Sequence, residues 1–453
     1  MPAERRPSNP SATITTPGHR VRTGALDGEQ PMKRRTFLKG LAGVLAARGP
    51  MTASPGADLS SRPTAPPAFP PARAATRGPK HHFFGYYDKT PWDHTGRYLL
   101  AMEVDFIGRD PRPGEAVTVG MVDLKQENRF LPLDTTTAWS WQQGTMLQWL
   151  GSAPDREIIY NTLDKNRYVS VVRDVHHGRT RRLPRPVYDV SLDGKQALTL
   201  DFERVNRLRP GYGYVALPER LKHDPAPHDA GIYWMDLATG NHRQLLSIAW
   251  AARNQPLPEF ENAHHWFNHL KFNPSGTRFL FLHRWRRLDK GSFRTRLYTA
   301  DRDGGNVRLL SRSPLVSHFD WRDDETILVW TATEDNNPHF FLVNDRTGTC
   351  EIVGQNTLTA DGHCSYSPDR KWILLDTYPD RQRRQRLFLY RPADAARIDL
   401  GDFAANPKLT GASRCDLHPR WNRDGTRICF DGSFEPTRQM YIVDVPEPLR
   451  STS

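Results

Sequence analysis

His269, His318, His363 and His418 each stand seven residues ahead of Gly276, Glu325, Arg370 and Gly425, which hold one turn position in four successive copies of a repeated phrase. A lone histidine in a strand is usually packed or hydrogen-bonded for structural reasons, but four at one repeat phase imply a shared destination. Neutral imidazole is the commonest transition-metal ligand in proteins, so three or four converging rings can hold Mn, Zn or a similar divalent ion. A metal-free catalytic ring and a purely structural ring are the alternatives these residues leave open. Further groups fall on predicted loops around that ring: Trp139, Gln142 and Gln143; Arg204 and Arg207; Arg209, Tyr212 and Tyr214; His264 and His265; Arg284 and Arg286. Arginine offers a planar fork for a carboxylate, and Trp or Tyr a platform for a sugar face. For any one of them, a solvated loop of ordinary composition is the plainer reading.

The elements that must position these groups are legible as a repeat. From His81 onward the chain restates a short strand, an Asp or Gly turn and a second apolar strand. The copies begin at Tyr87, Leu147, Tyr188, Leu270, Phe319, Cys364 and Pro419. A second phrase follows most of them, an apolar strand ending in Asp before a Gly turn, as in Ile232-Tyr-Trp-Met-Asp236 with Gly240 and Leu297-Tyr-Thr-Ala-Asp301 with Gly304. Together they form a four-stranded meander of roughly 40 to 60 residues, the size of a propeller blade. The expected fold is all-β, a seven-bladed β-propeller over residues 81–448. A two-sheet sandwich with a second domain would give no reason for one phrase to recur along the whole chain. In a propeller the first strand of each blade lines the channel, so residues equivalent under the repeat converge on the axis. The last phrase, Met440-Tyr-Ile-Val-Asp-Val445, runs into Pro446 without a fourth strand, so a segment near residues 74–84 is expected to close the ring.

The chain has 453 residues, 37% of them hydrophobic, enough for a sizeable core. Its net charge of +12 is misleading, because residues 1–80 carry nine of those charges. The propeller itself is close to balanced, which argues against a nucleic-acid surface and leaves room for a local basic pocket. Four cysteines without CxxC spacing read as buried thiols, with one disulfide or a metal-ligating Cys415 as alternatives. No apolar run is long enough to span a membrane. Residues 1–49 read as a leader: Arg34-Arg35 followed by Phe37-Leu38-Lys39 and a short apolar stretch resembles a twin-arginine export signal, with Met32 the expected natural start. Residues 50–80, rich in Pro, Ala and Ser, then form a linker. The expected destination is periplasmic or extracellular, and the export machinery is the expected partner.

At Phe267-Asn-His-Leu-Lys-Phe-Asn-Pro-Ser-Gly276, Ser317-His-Phe-Asp-Trp321 and Asp361-Gly-His-Cys-Ser-Tyr-Ser-Pro-Asp369 the chain resembles the oligogalacturonate lyase family, and more loosely the seven-bladed propeller polysaccharide lyases that include ulvan lyases. The resemblance implies a Mn-assisted lyase, Zn or Ca being the other ions considered. It casts His269 as base and His318 and His363 as metal ligands. The family's Gln-x-x-His-x-His ligand cluster has no counterpart in blade six, so His418 is expected to complete the metal set. Lysis of a uronate polymer removes the proton α to a carboxylate whose charge must be offset. On this reading Arg204 or Arg284 assists the metal in offsetting, His269 abstracts the proton, and Tyr188 or Tyr212 assists the leaving oxygen. Trp139, Gln142, Gln143, His265 and Arg209 are expected to bind the anionic saccharide.

The rivals are a glycoside hydrolase and a non-enzymatic carbohydrate-binding propeller. A hydrolase needs two carboxylates about 5 to 9.5 Å apart, and Asp88, Asp320 and Asp361 show no such pairing in sequence. The repeats do not spell sialidase Asp boxes, and no Gly-x-Ser-x-Gly elbow supports a serine peptidase.

Overall fold

The computed structural model describes residues 69–449 apart from Lys290, Arg312, Pro314 and 333–336, so the expected leader and linker residues 50–68 lie outside the described residues. Seven four-stranded antiparallel sheets follow one another along the chain, the expected seven-bladed β-propeller. The innermost strands, in order, are His81–Phe83, Gln148–Trp149, Asp189–Val190, Ala263–Phe272, Val316–Trp321, Cys364–Tyr366 and Arg420–Trp421.

Each sheet is buried on both faces, which explains why its second strand reads as an unbroken apolar run. In blade four, Phe279 and Phe281 pack with Leu198 and Ile232 of blade three, while Leu280 and Leu282 face Phe319 and Val329 of blade five. Successive side chains thus serve opposite interfaces, as the two-residue period of a strand requires. Indole N–H groups join the blades at the channel: Trp149 donates to the Pro91 carbonyl at 2.8 Å, Trp321 to that of Lys271 at 3.3 Å and Trp421 to that of Ser365 at 3.4 Å. The four cysteines are free thiols, Cys350 exposed and the others buried. Among the described residues, no helix is long and apolar enough to cross a membrane.

Blade three carries an insertion between its second and third strands, which opens with the helix Phe202–Leu208. Tyr214 stacks on Phe202 with ring centres 4.2 Å apart and accepts a 2.8 Å hydrogen bond from the Asn161 amide of blade two. Gly213 permits this fold-back, because a Cβ there would meet the Phe202 carbonyl oxygen at 2.1 Å.

The ring closes through Arg73–Ala74, which pairs with Gln439–Asp444 as the outer strand of blade seven. The closing strand lies in the segment that composition alone reads as linker, while His81–Phe83 becomes the innermost strand of blade one. Ala75 N donates to Met440 O at 2.8 Å and Met440 N to the Thr76 hydroxyl at 2.9 Å, so about four hydrogen bonds worth about 1 kcal/mol each depend on this segment. A chain beginning at Lys80 should therefore unfold about 2–4 kcal/mol more easily than one beginning at Phe69. Denaturant unfolding of the two checks this, and equal midpoints with equal slopes would contradict the closure.

Candidate active site at the channel mouth

The four histidines meet. The rings of His318 and His363 lie 4.1 Å apart and those of His363 and His418 4.2 Å apart. Tyr86 binds the group together, 4.9 Å from both His269, on which it stacks, and His418. The repeat delivers the histidines, but two of them need unusual backbone. His269 and His418 adopt φ of 52° and 44°, in the left-handed region that costs a non-glycine residue about 1–3 kcal/mol. Pairing of the inner strand of blade four with its neighbour breaks between Asn268 and Lys271, and this bulge re-aims His269. Gly85 brings Tyr86 and Tyr87 into the channel: its φ is +123°, and a Cβ there would lie 3.0 Å from the Gln143 carbonyl carbon.

Hydrogen bonds fix the proton positions on two of the rings. His363 Nδ1 lies 2.9 Å from both oxygens of Asp376, which also accepts the backbone N–H groups of His363 and His418. An imidazole that donates through Nδ1 keeps its Nε2 lone pair free, and His363 Nε2 has no protein partner. His318 Nδ1 likewise donates to Asp361 at 2.9 Å. Tyr188 OH is 3.2 Å from His269 Nδ1, accepts the His269 backbone N–H and lies 3.3 Å from Asn268 Oδ1. With the Tyr188 proton on Asn268, His269 carries its proton on Nδ1 and offers the Nε2 lone pair; with that proton directed at Nδ1 the roles reverse.

One ligand atom each of His363, Asp416 and His418 lie within 4.8 Å of one another, all three residues buried. His363 Nε2, both nitrogens of His418 and Asp416 Oδ1 lack hydrogen-bond partners, a costly arrangement for buried polar atoms and one that coordination would relieve. Two imidazoles and a carboxylate form a borderline donor set suited to Mn or Zn, so these residues fit a divalent ion. His318 stands beside the trio rather than in it.

Charge accumulates on the opposite side of His269. Burial, and next the Arg284 guanidinium, hold the His269 imidazole well below its ordinary value, so it stays neutral. Arg284 is itself buried with one nitrogen unpartnered, and burial with Arg209 nearby pulls its guanidinium down to about 10. Burial pushes the Tyr212 phenol up, but Arg414 and Arg209 outweigh it and leave the group below the ordinary phenol value. Arg414 Nη2 donates to Tyr212 OH at 3.2 Å and Arg414 Nε to Asp416 at 2.7 Å, linking the phenol to the ligand trio.

The structure thus gathers His269, His318, His363, His418, Tyr188, Tyr212, Arg209 and Arg284. The other predicted site residues lie elsewhere or act indirectly. Arg204 is not at the reacting centre: its guanidinium is spent on Glu219 and on the carbonyls of His265 and Pro225, pinning the insertion to blade four. His265 pairs with His283, Nδ1 to Nε2 at 2.9 Å, in a separate buried nest against Phe260, where burial holds it down to about 4. Trp139 packs on Phe83 and Trp141, and its indole donates to the Glu115 carbonyl. Gln142 works as a clamp: its amide donates to the carbonyls of Ala412 and Arg414 at 2.9 and 3.0 Å and its backbone N–H to that of Gly211, holding the loops that carry Tyr212 and Arg414. Gln143 is buried beside Gly85, its amide without a protein partner.

Tyr86, Tyr87, Asp376, Tyr378, Arg414 and Asp416 escape the sequence reading because they lie outside the aligned phase. Asp416 alone has a signal, an acid two residues before one of the aligned histidines. Replacing Arg204 by Ala should cost about 1–3 kcal/mol, since Glu219 keeps Arg207 as a partner but the carbonyls of His265 and Pro225 lose their donor. Chemical unfolding measures this, and unchanged stability would restore Arg204 as a candidate for the chemistry.

The sequence matches no protein-family model and no curated protein. Among solved structures the fold is similar to oligogalacturonate lyase from Vibrio parahaemolyticus, with a TM-score of 0.60 and 14% identity over 84% of this chain and 94% of that one. It is also similar to an oligogalacturonate lyase in complex with manganese, with a TM-score of 0.61 and 13% identity over 83% of this chain and 93% of that one. At such identities the likeness establishes the propeller fold.

Proposed function

We propose that this protein is a lyase that cleaves an acidic, uronate-containing oligo- or polysaccharide by β-elimination, using a divalent ion held by His363, Asp416 and His418. The observation that carries the reading is the buried His269 imidazole, with the buried Arg284 and half-buried Arg209 near it, in one cluster with an unsatisfied ligand trio. The likeness to oligogalacturonate lyases, one of them in complex with manganese, supports it. A bound divalent ion would supply Lewis-acid offset of the substrate carboxylate. Arg284 and Arg209 add fixed positive charge, which lowers the cost of forming the carbanion next to that carboxylate. His269 Nε2 takes the α-proton, in the tautomer that has the Tyr188 proton on Asn268. Tyr212, its phenol made more acidic by Arg414 and Arg209, protonates the departing glycosidic oxygen on this reading.

A binding propeller without catalysis is the second reading, and one observation favours it: His363 and His418 retain only 1% and 0% exposure beneath the clamped loops. His269, at 7%, is the most exposed of the four, so substrate would approach from its side. Incubation with uronate oligosaccharides and Mn separates the readings. The lyase generates the ultraviolet absorbance of a conjugated unsaturated uronate, whereas a binding protein takes up the oligosaccharide and leaves it intact.

Replacing His269 by Ala should lower kcat by about 10²–10⁴-fold. The acid limb of kcat/KM should lie below the usual histidine value near 6.5, because burial and Arg284 resist protonation of His269. Arg284→Met removes a neighbouring cation, so that limb should move to higher pH. A limb that stays put, or moves down, would contradict the assignment of His269 as base.

A further inference from the structure

Two residues beyond His269, His318, His363 and His418 stand Lys271, Asp320, Ser365 and Arg420. They line a cavity of about 260 Å³ to which all seven blades contribute, on the turn side of the histidines. Tyr87 is the partition: its ring is 5.2 Å from that of His363, and it also lines the cavity.

The cavity is built from buried charge. Lys89 Nζ lies 2.9 Å from Asp88 and 3.8 Å from Asp189, and Lys271 Nζ 2.7 Å from Asp320. Arg420 is engaged with Asp431 and with the carbonyls of Gly85 and Tyr86. At the cavity's rim the exposed Arg370 and Arg423 donate to the carbonyls of Trp321 and Trp92; counted with Lys89 and Lys271 against Asp88, Asp189 and Asp320, and with Arg420 set aside, they leave the lining one positive charge in excess. Burial also pushes the Asp189 carboxyl up to about 6, against its conversion to an anion.

Hydrogen-bonding capacity is left over as well. Asp88 Oδ1, Ser365 Oγ and Tyr366 OH have no partner, although the Asp88 side chain is 6% exposed and Tyr366 5%. Each ammonium has three donors, and the two lysines are each within hydrogen-bonding distance of a single carboxylate. Unpaired buried polar atoms are costly, so a ligand that brings both an anionic group and hydroxyls would relieve all of these at once.

We infer that this cavity is a second ligand site, separate from the histidine centre, for a small polyhydroxy carboxylate. The carboxylate meets the excess positive charge of the lysines and Arg370, and the hydroxyls meet Asp88, Ser365 and Tyr366. The inference does not depend on the lyase reading. The cavity has no neutral imidazole to serve as base, and among the described residues the only group of His, Cys, Asp and Glu side chains spaced to hold a metal is His363, Asp416 and His418. The site is therefore assigned to binding.

Isothermal titration of the full chain with D-gluconate tests it, with D-glucose and propionate as probes that each lack half of the ligand chemistry. Gluconate should bind at least about ten-fold more tightly than either. Tyr366→Phe, which deletes one unpartnered hydroxyl, should weaken gluconate binding about ten-fold. Arg370→Asn, which retains a residue tolerant of the left-handed backbone at φ 62°, should weaken it several-fold in a chain with unchanged circular dichroism. His363→Ala should leave gluconate binding intact. Absence of gluconate binding would overturn the inference, as would binding that His363→Ala abolishes and Tyr366→Phe leaves unchanged.

Discussion

Imidazole nitrogens without partners, buried where blades six and seven meet the axis, are the constraint around which this molecule is organised. A rotational repeat makes such a meeting cheap to specify, because one side-chain type at one phase reaches the axis from every blade that carries it. Burial then makes the meeting costly to leave unsatisfied. Asp376 and Asp361 answer part of that cost by accepting Nδ1 protons, and in doing so they orient the rings. The lone pairs that remain on His363 and His418 point to coordination.

The same organisation separates two kinds of chemistry across one ring of side chains. On one side, Asp416 and Arg414 bridge the trio of His363, Asp416 and His418 to Tyr212. On the other side, burial and then Arg284 hold the His269 imidazole below its ordinary value, and the Tyr188 hydroxyl lies 3.2 Å from its Nδ1. Left-handed backbone at His269 and His418 marks where regular strand geometry yields to the demands of the centre, a cost carried by the paired sheets around it. Beneath, Tyr87 divides this centre from the charged cavity on the turn side.

The parts of this arrangement that obey the repeat are legible in the sequence. The alternation in Phe279-Leu280-Phe281-Leu282 gives a strand buried on both faces, and the seven-residue offset gives the four histidines. What breaks the repeat is less legible. Tyr86 and Tyr87 enter through the turn at Gly85, off the phase that aligns the histidines, and closure from the N-terminal side is expected near residues 74–84 but is made by Arg73–Ala74, in a stretch whose composition reads as linker. Arg204 shows the converse failure: its guanidinium is taken up by Glu219, which Arg207 shares, and by the carbonyls of His265 and Pro225, so it pins the insertion and does not reach the histidines. Asp416, not His318, is the group whose ligand atom comes within 4.8 Å of those of His363 and His418.

Manganese paramagnetic resonance tests the histidine centre most directly. Mn²⁺ added to the purified chain should give a protein-bound signal with nitrogen couplings from coordinated imidazole, and the double variant His363→Ala/His418→Ala should lose both. A spectrum of fully hydrated manganese alone, or nitrogen couplings that persist in the double variant, would contradict a metal centre built on these two histidines.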